Sequence, residues 1–433
     1  MQILHWALVN PILTYLIVIM RRVRTRLAYF TLGAALATLL LLLTYQIPPV
    51  KDRLEWRLDA ASGILRGWLH PQDTLPRPGG VVGAFVPPTR FPAPESTARE
   101  FAPAATVVPP TPSALPTALP AQTRLPAPEW EKQDWNNCGP ATLSLALRTL
   151  GWDGDQFEIS ALVKPDRTDK NVNVDELVYY VRNRAGWLNA DYRVGGTIEL
   201  LRRFLATGYP VIVEKGYTIE DGGGGWAGHY LLLTGYDDTR GVLIAQDSNR
   251  GADQLVPYRD LDEGWRSFNR AYLYLYPPGA QSVIDGLLGP DADPDANRQR
   301  ALEAAQRELE NDPEDAFAWF NLGTNLVYFE RYGEAAQAFD KALAIGLPWR
   351  FTRYQFGPYI AYFHQGRYED LIDLADATLA RTPNAEESLL WRGWGRYRLG
   401  DSQGAIEDFR AALSVNPSYQ DARYALEFMG ACC

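Results

Sequence analysis

A proline-rich segment over residues 71–128 constrains this chain most, because it divides the chain into parts that must fold separately. Fifteen of its 58 residues are proline, and Ala, Thr and Ser supply much of the remainder. Such a segment cannot bury enough apolar surface to offset the loss of chain entropy on folding. We therefore predict a semi-stiff linker over residues 71–128, with a smaller region before it and a larger one after it.

The region before the linker contains a run that fits a membrane span. Leu27–Ile47 is 21 residues long and has no charged side chain, which is enough for a helix to cross a hydrocarbon core of about 30 Å. Four arginines, at positions 21, 22, 24 and 26, come directly before the run. Arginines of this kind tend to stay in the cytoplasm. Residues 1–50 are thus predicted to form a transmembrane anchor, with everything after it outside the cytoplasm.

Two further features of the N-terminal region bear on this anchor. Residues 1–19 are also apolar, and they leave two alternatives open: a second membrane span, or a true translation start at Met20. Residues 51–70 carry apolar side chains at helical spacing and are predicted to form a juxtamembrane helix. The protein is accordingly expected in the cell membrane, with one span or two.

Charge and cysteine content exclude several classes of protein. The net charge is −10, which argues against a nucleic-acid-binding protein. Acidic residues outnumber basic ones 23 to 14 from Pro290 onward, which is typical of an acidic soluble module. Three cysteines, two of them adjacent at the C-terminus, do not make a disulfide framework, and the four histidines have no zinc-site spacing. We predict no metal, nucleotide or other cofactor.

Residues 129–280 combine helical and strand-like patterns. Helical periodicity appears first, over residues 141–150, 174–184 and 198–207, and apolar β-branched runs follow over residues 210–213, 229–235, 242–246 and 271–276. Helices followed by strands predict an α+β fold with an antiparallel sheet.

Residues 281–433 are Ala-rich and repeat themselves. The segment Trp319–Ala342 aligns with Leu389–Ala412 at an offset of 70 residues, with matching Gly, Ala and Phe positions, and a looser copy lies between them. A period near 35 with these small and aromatic positions resembles tetratricopeptide repeats. We predict about three repeats over residues 314–417 with flanking helices, forming an all-α superhelix that binds a protein or peptide partner.

The segment Glu131–Thr142 carries the strongest chemical signal. In it Cys138 stands where a polar loop becomes a helix, and the partial positive charge of a helix N-terminus stabilises a thiolate, the nucleophilic form of cysteine. Gln133 lies five residues earlier. Its side-chain amide could donate to the oxyanion of a tetrahedral intermediate, together with the backbone N–H of Cys138.

A thiolate nucleophile needs an imidazole partner, and the sequence offers one in the same domain. His229 opens a predicted strand, whereas the other three histidines lie near the membrane segment, at the linker or among the repeats. Asp247 ends the next predicted strand. Two adjacent antiparallel strands can place Asp247 beside His229, where the carboxylate would orient the ring and stabilise the imidazolium.

The order Gln133, Cys138, His229, Asp247, with NCGPAT around the cysteine and GHYLLLTGYD around the histidine, resembles the papain-like bacteriocin-processing (double-glycine leader) cysteine peptidases. The resemblance implies a papain-like α+β fold. It also implies that these positions act as oxyanion donor, nucleophile, base and orienting acid. The best-known members are fused to an exporter with a nucleotide-binding domain, whereas this chain has an anchor and repeats.

These observations favour a membrane-anchored extracytoplasmic cysteine peptidase that acts on a peptide or protein substrate. Two alternatives stay open. The peptidase-like domain could have lost turnover and act with the repeats as a surface scaffold, or the same residues could pass the acyl group to an amine, as in transglutaminase-like enzymes. Substrate and cleavage preference are not predicted.

Overall fold

The computed structural model describes residues 11–71, 74–79, 119–169, 171–219 and 225–431. The chain divides into two compact units, Met1–Gly63 and Ile64–Cys433.

The first unit is helical over its described residues. Helix α1 spans Pro11–Tyr45, and helix α2 begins at Pro48 and ends at Leu69 in the second unit. Within α1, the 29 residues Ile17–Tyr45 are long and apolar enough to cross a membrane, judged by length and composition only. The alternative of an additional span over residues 1–19 falls mainly on residues 1–10, outside the described residues.

The second unit begins its globular part with helices and strands that intermix. In chain order these are β1 (Gln122–Arg124), α3 (Cys138–Arg148), α4 (Gln156–Val163), α5 (Val174–Arg184), β2 (Asn189–Arg193), α6 (Ile198–Ala206), β3 (Val211–Ile219), β4 (Gly225–Asp237), β5 (Val242–Asp247), β6 (Gly251–Pro257), α7 (Tyr258–Trp265), β7 (Tyr272–Tyr276) and α8 (Gln281–Leu288). Among the described residues the strands form one sheet in the order β2-β7-β3-β4-β5-β6. Strand β1 pairs with the last residues of β4, and every pairing is antiparallel.

Helices cover both faces of this sheet because its central strands are apolar on both sides. In β4, Tyr230 and Leu232 face a core that includes residues of α3, α4 and α5. Their neighbours Leu231 and Leu233 face a second core with residues of α6, α7 and α8. Successive side chains of a strand point to opposite faces, so a strand without polar alternation must be covered twice.

Three strands have no counterpart among the predicted ones. Strand β2 (NADYR) and strand β6 (GADQLVP) are polar, and β1 (QTR) lies in the proline-rich segment. Each lies at a margin of the sheet and owes its conformation to a neighbouring strand that is distant in sequence. Local apolar patterning does not predict such strands.

The rest of the second unit is helical. Its helices are α9 (Pro294–Asn311), α10 (Ala316–Tyr328), α11 (Tyr332–Ile345), α12 (Gly357–His364), α13 (Tyr368–Arg381), α14 (Glu386–Arg398), α15 (Ser402–Val415) and α16 (Gln420–Phe428). A Cβ added at Gly323 would come within 2.6 Å of the Phe339 ring, and one at Gly393 within 2.5 Å of the Phe409 ring. The repeated glycine thus lets the phenylalanine of the next helix approach the backbone.

The repeat helices pack directly against the sheet domain. Trp226, in strand β4, stacks on Phe268 with ring centroids 5.6 Å apart and meets Phe351 and Tyr354 of the helical region at 5.0 and 5.6 Å. Arg350 also donates to the carbonyl of Trp226 at 3.2 Å. The strand that carries His229 therefore begins at the contact between the two domains.

The predicted linker 71–128 is ordered at both described ends. Leu75 is buried among the repeat helices, and its N–H donates to the carbonyl of Leu347 at 3.1 Å. The N–H of Gly79 donates to Asp370 at 2.9 Å. At the other end, β1 joins the sheet. The spacer interpretation is thus left with residues 80–118, which lie outside the described residues.

Candidate active site

Cys138 is the first residue of helix α3, and the residue as a whole is partly buried. Asn136, two residues before it, has a left-handed backbone with φ of 53°, so the chain turns sharply ahead of the helix. A Cβ on Gly139 would lie 3.3 Å from Val172 and 3.4 Å from the Tyr230 ring. Glycine at this position lets the start of the helix lie close to strand β4.

A buried glutamine holds the loop that leads into Cys138. The side-chain oxygen of Gln156 accepts from the backbone N–H of Asp134 at 2.7 Å and from the amide of Asn137 at 2.8 Å. Its amide donates to the carbonyl of Lys132 at 2.8 Å. Arg167 adds two bonds of 2.7 Å to the Asp134 carboxylate. Sequence patterns did not identify Gln156, since a glutamine in the first turn of a helix is unremarkable.

The structure brings His229 and Asp247 together. His229 lies in β4 and Asp247 ends the adjacent strand β5, and His229 Nε2 is 2.8 Å from Asp247 Oδ1. The same carboxylate oxygen accepts from the backbone N–H groups of Asn249 at 2.8 Å and Arg250 at 3.0 Å. Only 8% of His229 and 5% of Asp247 is exposed, so this pair is held with little competition from water.

Cys138 and His229 also interact. Burial raises the pKa of the Cys138 thiol, but the hydrogen bond and charge of His229 and backbone hydrogen bonds from Tyr230 and Gly139 lower it, and the net shift is downward. Burial lowers the pKa of His229, but the hydrogen bonds and charges of Asp247 and Cys138 raise it to about 9. Opposite shifts in the two partners favour a thiolate–imidazolium pair.

The pKa of Asp247 is consistent with this pair. Burial raises the pKa of the Asp247 carboxyl, but His229 and the backbone N–H groups of Asn249 and Arg250 outweigh burial and lower it. Between the lowered pKa of Cys138 and about pH 9, the site therefore favours a thiolate on Cys138, an imidazolium on His229 and a carboxylate on Asp247. Because the groups titrate together, that range belongs to the set rather than to one residue.

Gln133 is fixed beside this set by Ser248. The backbone N–H of Gln133 donates to the carbonyl of Ser248 at 2.8 Å, and the Ser248 hydroxyl donates to Gln133 Oε1 at 2.9 Å. Because Gln133 Oε1 accepts from the Ser248 hydroxyl, the NH₂ group of the same amide is the one that can donate to a substrate oxygen. Ser248 is fully buried and was not predicted as a site residue, although it directly follows Asp247.

Glu214 is a second residue that sequence reasoning missed. It pairs with Tyr230 across strands β3 and β4 and is 8% exposed. Burial and the nearby charge of Cys138 raise the pKa of Glu214 well above its usual value. A protonated Glu214 adds no second negative charge next to the thiolate. Its signal in the sequence was a carboxylate directly after the apolar run Val211–Val213.

No metal centre is apparent in the parts of the chain that the structure describes, where no three His, Cys, Asp or Glu side chains come together in a way that could hold an ion. The arrangement at Cys138 instead supplies a nucleophile, a proton carrier and a carboxylate that orients it. Such a set can form and hydrolyse a thioester without a cofactor.

Comparison with known proteins identifies both domains. Residues 121–276 match the Peptidase_C39 like family, and residues 288–346 and 390–426 match the tetratricopeptide repeat. The chain thus contains a C39-like peptidase domain followed by tetratricopeptide repeats, and the predicted fold class is confirmed. No match was found among curated proteins.

Several solved structures are similar to parts of the chain. A C39-like peptidase from Bacillus anthracis is 16% identical, with 36% of this chain and 97% of that chain covered and a TM-score of 0.30. A double glycine motif protease from an AMS/PCAT transporter, in complex with the leader peptide, is 18% identical over 36% of this chain and 94% of that chain, with a TM-score of 0.28. YrrB, a TPR protein with an unusual peptide-binding site, is 18% identical over 34% of this chain and 98% of that chain, with a TM-score of 0.19. At these values the likenesses say nothing about substrate.

Proposed function

We propose that this protein is a cysteine peptidase that hydrolyses peptide bonds through Cys138, His229 and Asp247. The observation that carries the proposal is the arrangement of three side chains: Cys138 begins helix α3 and interacts with His229, and His229 Nε2 lies 2.8 Å from Asp247 Oδ1. The pKa values agree with this arrangement, since that of Cys138 is lowered and that of His229 is raised to about 9. An inert buried cysteine would have a raised pKa. The membership of residues 121–276 in a peptidase-like family supports the same reaction class.

The chemistry follows from the roles of these groups. The Cys138 thiolate attacks the carbonyl carbon of the substrate, and the resulting oxyanion accepts from the backbone N–H of Cys138 and the NH₂ group of Gln133. The imidazolium of His229 then protonates the leaving amine, which leaves a thioester on Cys138. His229 next takes a proton from water, the hydroxide attacks the thioester, and the acid product departs as the Cys138 thiolate and the His229 imidazolium are restored.

The proposal places both domains outside the cytoplasm and tethers them through helix α1. Its support is the uncharged part of helix α1, Leu27–Tyr45, and the arginines at positions 21, 22, 24 and 26 directly before it, since basic residues that flank a span tend to stay inside. Protease added to right-side-out vesicles should degrade the repeats, and in inverted vesicles it should leave them intact. The reverse pattern would overturn this orientation.

The repeats are proposed to recruit a peptide or protein to the peptidase domain. Their contact with Trp226, three residues before His229 in strand β4, supports this role because a substrate held by the repeats would stay near the active site. Polar bonds reinforce the contact, including Gln355 to the carbonyl of Ser267 at 2.8 Å.

A peptide library tests the reaction. Full-length protein and its Cys138→Ala variant are incubated with the library, with and without an added amine, and the product masses are compared. Hydrolysis products that depend on Cys138 support the proposal. Amine-coupled products in their place would indicate acyl transfer, and peptide capture without any product, unchanged by Cys138→Ala, would indicate a scaffold. Either result overturns the proposal.

A further inference from the structure

A cavity of about 180 Å³ opens beside the catalytic pair, on the face of the sheet covered by helix α7. His229 and Asp247 line it, as do Lys215 and Tyr217 of strand β3 and Arg250 from the turn after strand β5. Pockets for drug-sized ligands typically measure about 300–1,000 Å³. The cavity is therefore suited to a single amino-acid side chain.

The lining places this cavity on one particular side of the reaction centre. It includes the proton carrier His229 but neither the nucleophile Cys138 nor Gln133. The leaving amine must approach the imidazole to receive its proton, whereas the acyl part stays on the sulfur. The part of a substrate that follows the scissile bond thus lies on the His229 side, where the cavity opens.

The charge of the cavity is positive. Neither Lys215 nor Arg250 forms an ion pair with any residue that the structure describes. The Lys215 ammonium has one hydrogen bond, of 3.5 Å, to the backbone carbonyl of Asp260. Desolvation and then the charge of Arg250 lower the pKa of Lys215, and these effects outweigh the nearby carboxylates. Two carboxylates also line the cavity. Asp247 is already paired with His229, and Asp260 lies near Lys215, where its charge raises the pKa of the ammonium. Outside the catalytic pair, two cations thus face one carboxylate, and the balance is positive.

The walls of the cavity also fit the methylene groups of an acidic side chain. Leu255 lines it and is 46% exposed, and Gln254 adds a side-chain amide. A glutamate has two methylene groups for the apolar wall and a carboxylate for the two cations. Arginine in particular binds carboxylates through two parallel N–H bonds.

We propose that this cavity is the subsite for an acidic side chain at the position directly after the scissile bond. The inference rests on the proposed peptidase function and specifies its substrate class: peptides with Glu or Asp on the leaving-group side. Lys215 and Arg250 hold the carboxylate, and the preference for it resides in their charge.

Three peptides that differ only in the residue after the cleaved bond, Glu, Gln or Lys, test the proposal with the full-length protein. The wild type should cleave the Glu peptide at least about tenfold more efficiently, by kcat/KM, than the Gln peptide, and the Lys peptide least well. In Lys215→Gln the ratio of Glu to Gln rates should fall about tenfold, and in Lys215→Glu the Lys peptide should become the better substrate. A ratio of rates does not depend on how much protein folds, so a loss of folded enzyme cannot imitate the result.

Arg240→Gln is the matched control, because it removes an exposed cation from the turn at the far end of the β4–β5 hairpin. Its ratio should equal that of the wild type. Equal cleavage of the Glu and Gln peptides by the wild type, or a Glu preference that survives in both Lys215 variants, would overturn the subsite.

A binding measurement separates this inference from the reaction itself. Fluorescent Glu and Gln peptides are titrated against Cys138→Ala and against the same protein with Lys215→Gln. Tighter binding of the Glu peptide that is lost with Lys215→Gln supports the subsite even if no peptide is cleaved, a result that would overturn only the peptidase function. Equal binding of both peptides overturns the subsite whatever the library shows.

Discussion

Replacing Asp247 with asparagine removes the charge that orients and stabilises His229 while keeping an oxygen for Nε2–H. The pKa of His229 is raised from 6.5 to about 9, and one pKa unit corresponds to about 1.4 kcal/mol, so the imidazolium is favoured by about 3 kcal/mol. Asp247 and Cys138 share this effect. If Asp247 supplies about half of it, Asp247→Asn lowers the pKa of His229 by about one unit.

The sign of the pH dependence follows from the raised pKa. A histidine whose pKa is raised keeps its proton at every pH below that value and loses it as the pH rises through about 9, and the ion pair with Cys138 is lost with it. In the asparagine variant this loss should occur near pH 8. Below that range both proteins should retain the imidazolium.

Alkylation of Cys138 by iodoacetate measures this limit, because the anionic reagent reacts fastest while His229 is protonated. Rates are followed by peptide mass mapping between about pH 5 and pH 10, which is roughly 1.5 units below the ordinary histidine pKa and 1.5 units above the ordinary cysteine pKa. Cys432 and Cys433 serve as internal reference thiols, and Asp373→Asn, an exposed carboxylate on helix α13, is the matched control. The reasoning would be refuted if the loss of the alkylation rate at high pH occurred at the same pH in Asp247→Asn as in the wild type. It would also be refuted if this loss moved by the same amount in Asp373→Asn.

Three further predictions concern groups that support the site. Gln133→Ala should lower kcat by about 10²–10³-fold with little change in KM, since the amide is proposed to bind only the oxyanion, and a KM effect alone would contradict this. Gln156→Leu leaves a buried N–H without its acceptor and should lower the free energy of unfolding by about 1–3 kcal/mol in urea titrations, with slower alkylation of Cys138; an unchanged midpoint and rate would refute the role given to that loop. Burial and the charges of Asp169 and Glu387 raise the pKa of Glu386 well above its usual value, so stability should fall as the pH rises above about 4.5, and Glu386→Gln should flatten this fall between pH 5 and 8; parallel curves would contradict it.

Much of the site could be predicted because its chemistry is local in sequence or spans adjacent strands. A cysteine at a loop-to-helix boundary is visible in the sequence, and strands β4 and β5 are joined by a short turn, so the approach of His229 to Asp247 followed from pairing alone. The repeats could also be predicted from the sequence, because the residues that pack within each repeat are close together along the chain. Gly323 and Gly393 recur because each lets a phenylalanine pack on the helix backbone.

The supporting groups could not be predicted, because each depends on a contact between segments distant in sequence. Ser248 fixes Gln133 across 115 residues, and Gln156 reaches back to the loop before Cys138. The docking of Leu75 against the repeats likewise follows from packing with Leu347 rather than from the composition of a proline-rich segment. Composition describes how a segment behaves alone and does not identify the surface that holds its ends.

The thiolate absorbance of Cys138 as a function of pH tests the central claim most directly. The difference spectrum between the wild type and Cys138→Ala reports this one sulfur, and His229→Ala reports it without its imidazole. The ion pair predicts that the wild-type thiolate absorbance appears below the pH range of an ordinary cysteine, and that it appears at clearly higher pH in His229→Ala. If the wild-type thiolate instead appears only near the ordinary cysteine pKa of about 8.5, and His229→Ala leaves the titration unchanged, Cys138 is an ordinary thiol and the account is contradicted.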